Sequence, residues 1–449
     1  MPHILVLGAG RSSTALIHYL IDNAAQQGWH VTVADASLEA ATAKIAPATT
    51  HATARALDIT DAPARAALIG SADIVASLMP PHLHNLVAAD CLALRKPLVT
   101  ASYASPELRA MHEAALAANL LFLCEMGADP GIDHLSAMRT IDSIHAEGGI
   151  LTGLYSYAGG LVTPECDNNP WHYKFSWNPR NIIVAGQGIT RYLANGKVKL
   201  TPYNRLFSTA QRVDLGTTGV YDGYPNRDSV IYRTLYRLPN IQHLLRGTLR
   251  HEGFCKSWDI FVQLGMTDDT YPIDTTSLTY TDFLETYLPE THTDTSATLP
   301  ERLAAFFGVS VESAEVQNIA WLGFFDHLPI ALPDGKTHAT PADILLALLL
   351  PRWVLAPTDR DRVVMHHRFE YTLAGQPRWR TATMVVDGTD SVDTAMSRLV
   401  GLPMAIFVKH YLAGSITLRG VCLPLTPDLY HPVLEELETL GIRFEEQEG

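Results

Sequence analysis

The sequence predicts an α/β protein in which a doubly wound parallel sheet domain joins a second α/β domain of antiparallel character with a small helical insertion. Three observations predict this. A short apolar run at residues 4–7, "ILVL", leads straight into the turn "GAGRSS" and then into a helical pattern. Apolar runs recur up to residue 124 with Ala-rich helical stretches between them, which is the grammar of parallel strands joined by crossover helices. Past residue 129 that alternation stops, and strand-like pieces with Gly-rich turns replace it.

The elements follow in order. Ala15, Leu16, Tyr19 and Leu20 share one helix face. Val31 to Ala34 is the next strand, and 73–78, 97–100 and 120–124 are further ones. Asp129 to Glu147 reads as a helix closed by Gly148-Gly149. Asp129 is expected at its N-cap, Pro130 at its first position, and Ile132, Leu135, Met138 and Ile141 along a buried stripe. Residues 150–157, 196–201 and 246–250 are strand-like, and 363–373 with 378–387 form a hairpin through Ala374-Gly375-Gln376-Pro377. A stretch rich in Thr, Asp and Pro, 266–360, reads as the helical insertion. The helix at 391–415, with Ala395, Leu399, Leu402 and Ile406 on one side, is expected to pack back on the first domain. The expected domains are therefore 1–127 with 391–449, 128–265 with 361–390, and 266–360.

Bulk properties exclude several functions. A chain of 449 residues is too long for one core, and 47% hydrophobic with 18% charged residues is ordinary globular composition. A net charge of -14 argues against a nucleic-acid partner, and means that an anionic substrate needs a local cluster of arginines. The cysteines at 91, 124, 166, 255 and 422 lie far apart without a C-x-x-C, which fits a reducing cytosol and no zinc ribbon. No signal-peptide layout opens the chain, and Ile344 to Leu350 is too short to span a bilayer. The expectation is a cytoplasmic protein with no membrane partner.

Gly8-Ala9-Gly10-Arg11-Ser12-Ser13 follows a strand and opens a helix, the setting that a dinucleotide fingerprint requires. Gly8 permits the tight turn, Gly10 lets backbone approach a pyrophosphate, and the helix N-terminus offers unpaired N–H groups. Ser13 stands where a third glycine is usual and is small enough for close packing. This predicts a Rossmann fold. Asp35 ends "VTVAD"; a carboxylate there accepts hydrogen bonds from ribose hydroxyls and repels a 2′-phosphate, so NAD is expected over NADP. Asp58 either sits by the adenine or caps the helix beginning near Ala62.

Several motifs occur together in one order: "TASYAS" at 100–105, "GADPGIDHL" at 127–135, "SYAGGLVTPECDNNPWHYKFSW" at 156–177, "YPNRDS" at 224–229, "RGTLR" at 246–250 and "AWLGFF" at 320–325. With them, nearly the whole chain resembles the saccharopine reductase family, that is, saccharopine dehydrogenase of the L-glutamate-forming kind. Carboxynorspermidine dehydrogenase shares similar DPGIDH and YKFSW elements and is the alternative reading. The resemblance implies hydride transfer between a nicotinamide and the imine formed from glutamate and 2-aminoadipate 6-semialdehyde. It also implies a substrate and dimerisation domain, hence a homodimer. Two departures stand out. Fungal members carry a Cys-Arg pair where this chain has Asp35-Ala36, and the arginine can hold the 2′-phosphate of NADP, so its loss supports NAD. Ala158 replaces the cysteine of the family's "SYCGG", so no thiol is essential there.

The resemblance also implies site residues. Ser102, Tyr103, Asp129, Arg227, Thr248, Leu249 and Arg250 match positions for substrate, with Tyr103 and Asp129 nearest the chemistry and Arg180 a further candidate. Guanidiniums suit a substrate with three carboxylates because the planar fork binds each with two hydrogen bonds. Gly8, Gly10, Arg11, Ser12, Ser13, Asp35, Ala36, Ser37, Asp58, Ile59, Leu78, Thr100, Ala101, Ala128, Asp129, Pro130 and Ser176 match positions for the dinucleotide. The helix start at Asp129 is expected at the cleft where nicotinamide and substrate meet. Proton transfer has Tyr103, Asp129, His134 and Lys174 as candidates, with His134 read rather as structural. The pairs His82/His84 and His366/His367 lack acids or cysteines at ligand spacing, so no metal is expected and a loop role is the default for the first pair.

Overall fold

The computed structural model describes residues 1–47, 50–289 and 297–449. By its contacts the chain divides into two compact units, residues 1–151 with 365–449, and residues 152–364.

The first unit is built on a seven-stranded parallel sheet. Its strands are β1 (His3–Leu7), β2 (His30–Asp35), β3 (Ala52–Ala56), β4 (Ile74–Ser77), β5 (Leu98–Thr100), β6 (Leu121–Leu123) and the late strand Gly420–Cys422. Their order is Gly420–Cys422, β6, β5, β4, β1, β2, β3. The chain therefore runs outward on one side of β1 through β2 and β3, and on the other through β4, β5 and β6. Such a reversal opens a ligand crevice beyond the carboxyl ends of β1 and β4. The central strands β1, β4 and β5 are buried nearly throughout, which is why they show as continuous apolar runs. The sequence gives no such run for β3, an edge strand of small and charged residues, nor for Gly420–Cys422, which has three residues on the opposite edge.

The helix Ala395–Leu412 packs on the helix Thr14–Gln27 that follows the glycine turn. Gly401 makes this close: a Cβ there would stand 2.6 Å from the Leu16 nitrogen. The Ser397 hydroxyl accepts the Ala15 N–H at 3.1 Å.

The helix expected from Asp129 runs from Ile132 to Ala146, with Gly131 and not Asp129 at its N-cap. The backbone folds back on itself instead. Gly127 N–H donates to the Pro130 carbonyl at 2.9 Å, and Ile132 N–H to the Gly127 carbonyl at 2.9 Å. Gly131 has φ +149°, and a Cβ on it would meet the Gly127 oxygen at 2.0 Å. The Asp129 side chain is thereby released from capping. The stripe of Ile132, Leu135, Met138 and Ile141 is fully buried.

A second, mixed sheet has nine strands, including β7 (Ile150–Val162), β8 (Ile189–Ala194), β9 (Lys197–Pro202), β10 (Gln211–Asp214), β11 (Val220–Pro225) and β12 (His243–His251). Within the second unit β10, β11 and β12 are antiparallel neighbours and β12 runs parallel to β7. The hairpin Asp361–Leu373 with Gln376–Asp387 turns through Ala374 and Gly375, both at positive φ as a two-residue hairpin loop requires. Much of the expected 266–360 insertion is helical, with one two-stranded ladder, Ile273–Asp274 on His338–Ala339; its residues 290–296 lie outside the described residues. Its side chains Phe283, Phe324, Leu345 and Trp353 share a core with Trp171, Phe254 and Trp258, so it is part of the second unit.

Candidate active site

In the first unit, Gly8 to Ser13 follows β1, Asp35 to Ser37 closes β2, Asp58 and Ile59 follow β3, Leu78 follows β4, and Thr100 with Ala101 ends β5. The structure brings these expected cofactor residues to one end of the parallel sheet, the end where α/β folds bind ligands. Gly8 has φ +103°, and a Cβ on it would be 3.1 Å from the Leu78 carbonyl oxygen, so the turn needs glycine. Gly10 is exposed, with nothing within 4 Å of the space a Cβ would fill. That open backbone, just before the turn Arg11–Ser13 and the helix from Thr14, fits a dinucleotide's pyrophosphate. Asp35 holds the turn from below: its Oδ2 accepts the Ala9 N–H at 2.7 Å and its Oδ1 the Ser37 N–H at 3.0 Å. Asp58 does not cap the helix Ala62–Ser71. Asp61 does, accepting the Ala64 N–H at 3.0 Å, while Asp58 accepts from Thr60.

Beyond β5 the loop carrying Ser102 and Tyr103 meets the turn before the helix Ile132–Ala146. The Tyr103 hydroxyl donates to Asp129 Oδ1 at 3.3 Å, joining two residues that the sequence placed nearest the chemistry. Ala101 packs on Gly127, where a Cβ would approach it to 2.9 Å, and Ala128 is buried beside it. Glu125 fixes the loop and the turn together. Its Oε1 accepts the Ala104 N–H at 3.2 Å and the Arg109 guanidinium at 3.3 Å, and its Oε2 is 2.9 Å from His134 Nε2. Glu125 and His134 are both fully buried, so His134 acts as a structural histidine.

His84, expected in a loop, is instead buried at the start of the helix His84–Ala93. Its Nδ1 is 3.0 Å from the Ser77 hydroxyl, and its Nε2 is 2.9 Å from that of Ser102 and 3.1 Å from that of Thr100. Burial, aided by the charge of His82, pushes its pKa down to about 4. Among the described residues no group of three or more His, Cys, Asp or Glu is arranged to hold a metal ion.

In the second unit, Arg246, Thr248 and Arg250 alternate along β12 and share one face, while Leu249 points the other way into a small core with Leu161, Tyr221 and Val364. Arg250 is only 5% exposed. Its guanidinium lies over the rings of Tyr173 at 5.3 Å and Phe254 at 5.6 Å. Among the described residues no carboxylate pairs with it: one nitrogen donates to the Leu249 carbonyl at 3.1 Å, and Nε has no acceptor. Among the described residues Trp353 Nε1 is also buried without an acceptor, and its ring is 5.1 Å from that of Tyr173. Burial pushes the Tyr224 hydroxyl, beside Arg250, up to about 12, so it is a neutral donor. A buried cation whose Nε lacks an acceptor, near an unanswered indole N–H, suits an anionic ligand.

The other candidates differ. Arg227 is exposed, at φ +52°, in the loop after β11. Arg180 pairs with Asp343 and, at 3.4 Å, with Asp269. Lys174 is buried against Asp359 at 2.6 Å. Ser176 is buried in the same segment. Sequence reasoning did not single out Glu125, Tyr173 or Trp353. A lone carboxylate in the apolar run "LLFLCEMGA" was the available signal for Glu125; Tyr173 and Trp353 carried none, because an aromatic residue in an apolar stretch reads as core.

Residues 127–442 match the family model described as the saccharopine dehydrogenase C-terminal domain, and residues 4–123 that of the saccharopine dehydrogenase NADP binding domain. The chain is 33% identical over 451 residues to saccharopine dehydrogenase [NADP(+), L-glutamate-forming] of Saccharomyces cerevisiae, covering 99% of both chains. It is 32% identical to the mitochondrial alpha-aminoadipic semialdehyde synthase of Bos taurus, over 85% of this chain and 41% of that longer protein. Among solved structures, apo histidine-tagged saccharopine dehydrogenase (L-Glu forming) from Saccharomyces cerevisiae superposes with a TM-score of 0.87 at 32% identity, covering 100% of both chains. A homospermidine synthase from Legionella pneumophila shares the fold alone, with a TM-score of 0.57 at 10% identity over 99% of this chain and 91% of that one.

Proposed function

The chain belongs to the saccharopine dehydrogenase family, and from that premise we propose that it interconverts saccharopine with L-glutamate and 2-aminoadipate 6-semialdehyde, using NAD(H) in preference to NADP(H). The bound dinucleotide accepts or supplies the hydride at the carbon–nitrogen bond. The glycine turn at Gly8–Gly10 and the helix behind it hold its phosphates. Asp35 and the absence of an arginine at position 36 favour NAD, since a carboxylate at the end of β2 repels a 2′-phosphate.

Arg250 carries the substrate reading. A buried guanidinium without a carboxylate partner is costly unless a ligand supplies one, and saccharopine has three carboxylates to offer. The same cation disfavours a polyamine substrate such as carboxynorspermidine, whose other charges are positive. Arg227, Thr248 and the Leu249 backbone are further substrate contacts on this reading. Ser102 and Tyr103 hydrogen-bond the substrate near the reacting bond. Asp129, steadied by Tyr103, holds its amine and takes part in moving the proton. Five free cysteines suit a reducing compartment, and we place the enzyme in the cytoplasm as a homodimer. Among the described residues no helix is long and apolar enough to cross a membrane.

The test is the purified protein with saccharopine and NAD, followed by absorbance of the reduced nicotinamide, with NADP and carboxynorspermidine as comparisons. Turnover of saccharopine, with the higher kcat/KM for NAD, is the expected result. Turnover of carboxynorspermidine alone would refute the substrate, and a higher kcat/KM for NADP would refute the cofactor preference.

A further inference from the structure

We infer that His84 is a positioning residue for hydride transfer: from inside the first unit it fixes the Ser102 hydroxyl against the ends of β4 and β5. This rests on the reading of Ser102 as a substrate contact and goes beyond it to the group that sets its direction.

Geometry carries the inference. His84 is 2% exposed at the first position of its helix, so its ring is locked by packing. Ser77 ends β4, which borders the reversal point of the sheet, and Thr100 ends β5, the next strand out. Ser102 lies two residues further, in the loop. One imidazole reaches all three hydroxyls, at 3.0 Å from Ser77 on Nδ1, and at 2.9 Å from Ser102 and 3.1 Å from Thr100 on Nε2. Thr100 Oγ1 also accepts the Ser102 N–H at 3.2 Å, so side chain and backbone of Ser102 are held from one centre.

A neutral imidazole offers one donor and one acceptor at opposite ends of a rigid ring, which suits a link between hydroxyls on two segments. Neutrality matters as well. Burial keeps the ring uncharged at working pH, so it places no positive charge beside the site of an oxidised, cationic nicotinamide. The hydroxyl chain ends at Ser77, which is fully buried, so it positions Ser102 and does not conduct protons to solvent.

The two ring nitrogens give the inference a specific test. A glutamine amide at position 84 reaches the place of Nε2 and can hold Ser102; an asparagine amide reaches only the place of Nδ1 and holds Ser77. Steady-state kinetics on saccharopine and melting temperatures are measured for wild type, H84A, H84N and H84Q. We expect kcat to fall by about 10-fold or more in H84A with the dinucleotide KM little changed, and recovery in H84Q beyond that in H84N. Equal kcat in H84A and wild type, equal recovery by both amides, or losses that follow only the folded fraction would each overturn it. Nitrogen NMR of the His84 ring in wild type and S102A gives a readout that needs no substrate, with H84Q identifying the signal. The Nε2 resonance is expected to shift in S102A, and an unmoved resonance overturns the contact. Wild type inactive on saccharopine would fell the proposed function, not this contact.

Discussion

Asp35 and His84 are the two side chains whose chemistry is most open to direct test. The Asp35 carboxylate braces the glycine turn through Ala9 and also sets the electrostatics at the end of β2. Asp35→Ser keeps a hydrogen-bond acceptor and removes the charge. It should raise the ratio of kcat/KM for NADP over NAD by about 10-fold or more, because a like charge opposing a phosphate costs several kcal/mol; an unchanged ratio would remove Asp35 from cofactor choice. His84 makes a stability prediction. Its folded pKa, about 4, lies below the ordinary histidine value of 6.5. Above pH 6.5 the ring is neutral folded and unfolded and contributes no pH dependence. As pH falls from 6.5 toward 4 the unfolded chain binds a proton that the folded one refuses, so stability is lost, on the order of 3 kcal/mol in all. The slope of unfolding free energy against pH in that window should be shallower in H84Q. At this scale the sequence was readable where a residue type meets a motif, as for Gly8, whose turn at φ +103° against Leu78 needs a glycine. It put His84 in a loop and was silent on Glu125, because their partners are brought together only by folding: Ser102 and Ser77 are hydrogen-bonded to His84 from either side of it along the chain.

Among the elements, the turn 127–131 decides where Asp129 points. Its backbone hydrogen bonds close over Gly127 and Pro130, and Gly131 sits at φ +149° with no room for a Cβ. Gly131→Ala should therefore destabilise the protein by about 3 kcal/mol or more, through strain and overlap with the Gly127 oxygen. Denaturant unfolding checks it, and a change under about 1 kcal/mol would mean the turn relaxes freely. This element also shows why part of the fold was hidden. Asp-Pro before an apolar stripe is a strong helix-start signal, yet the chain uses Gly131 at the cap because the preceding residues double back. The parallel strands were legible because both faces are buried and the runs are apolar. The edge strands β3 and Gly420–Cys422 were not, since half-exposed or three-residue strands leave no periodic trace. The 266–360 stretch was legible as helical, but its shared aromatic core with Trp171 and Trp258 was beyond any local pattern.

For the whole molecule, a net charge of -14 sets the problem that Arg250 answers on the proposed reading. The overall field opposes a polyacid, so affinity must come from a desolvated cation at short range, where the dielectric is low. On the proposed reading Arg250, held on the strand β12, is that cation. The most direct measurement is the effect of Arg250→Lys on the two KM values, with folding checked by circular dichroism. Lysine keeps the charge and loses the planar fork. The saccharopine KM should rise by about 30-fold, near 2 kcal/mol, while the dinucleotide KM stays within about 2-fold. A saccharopine KM left unchanged in a folded variant, or an equal rise in both constants, would contradict the account.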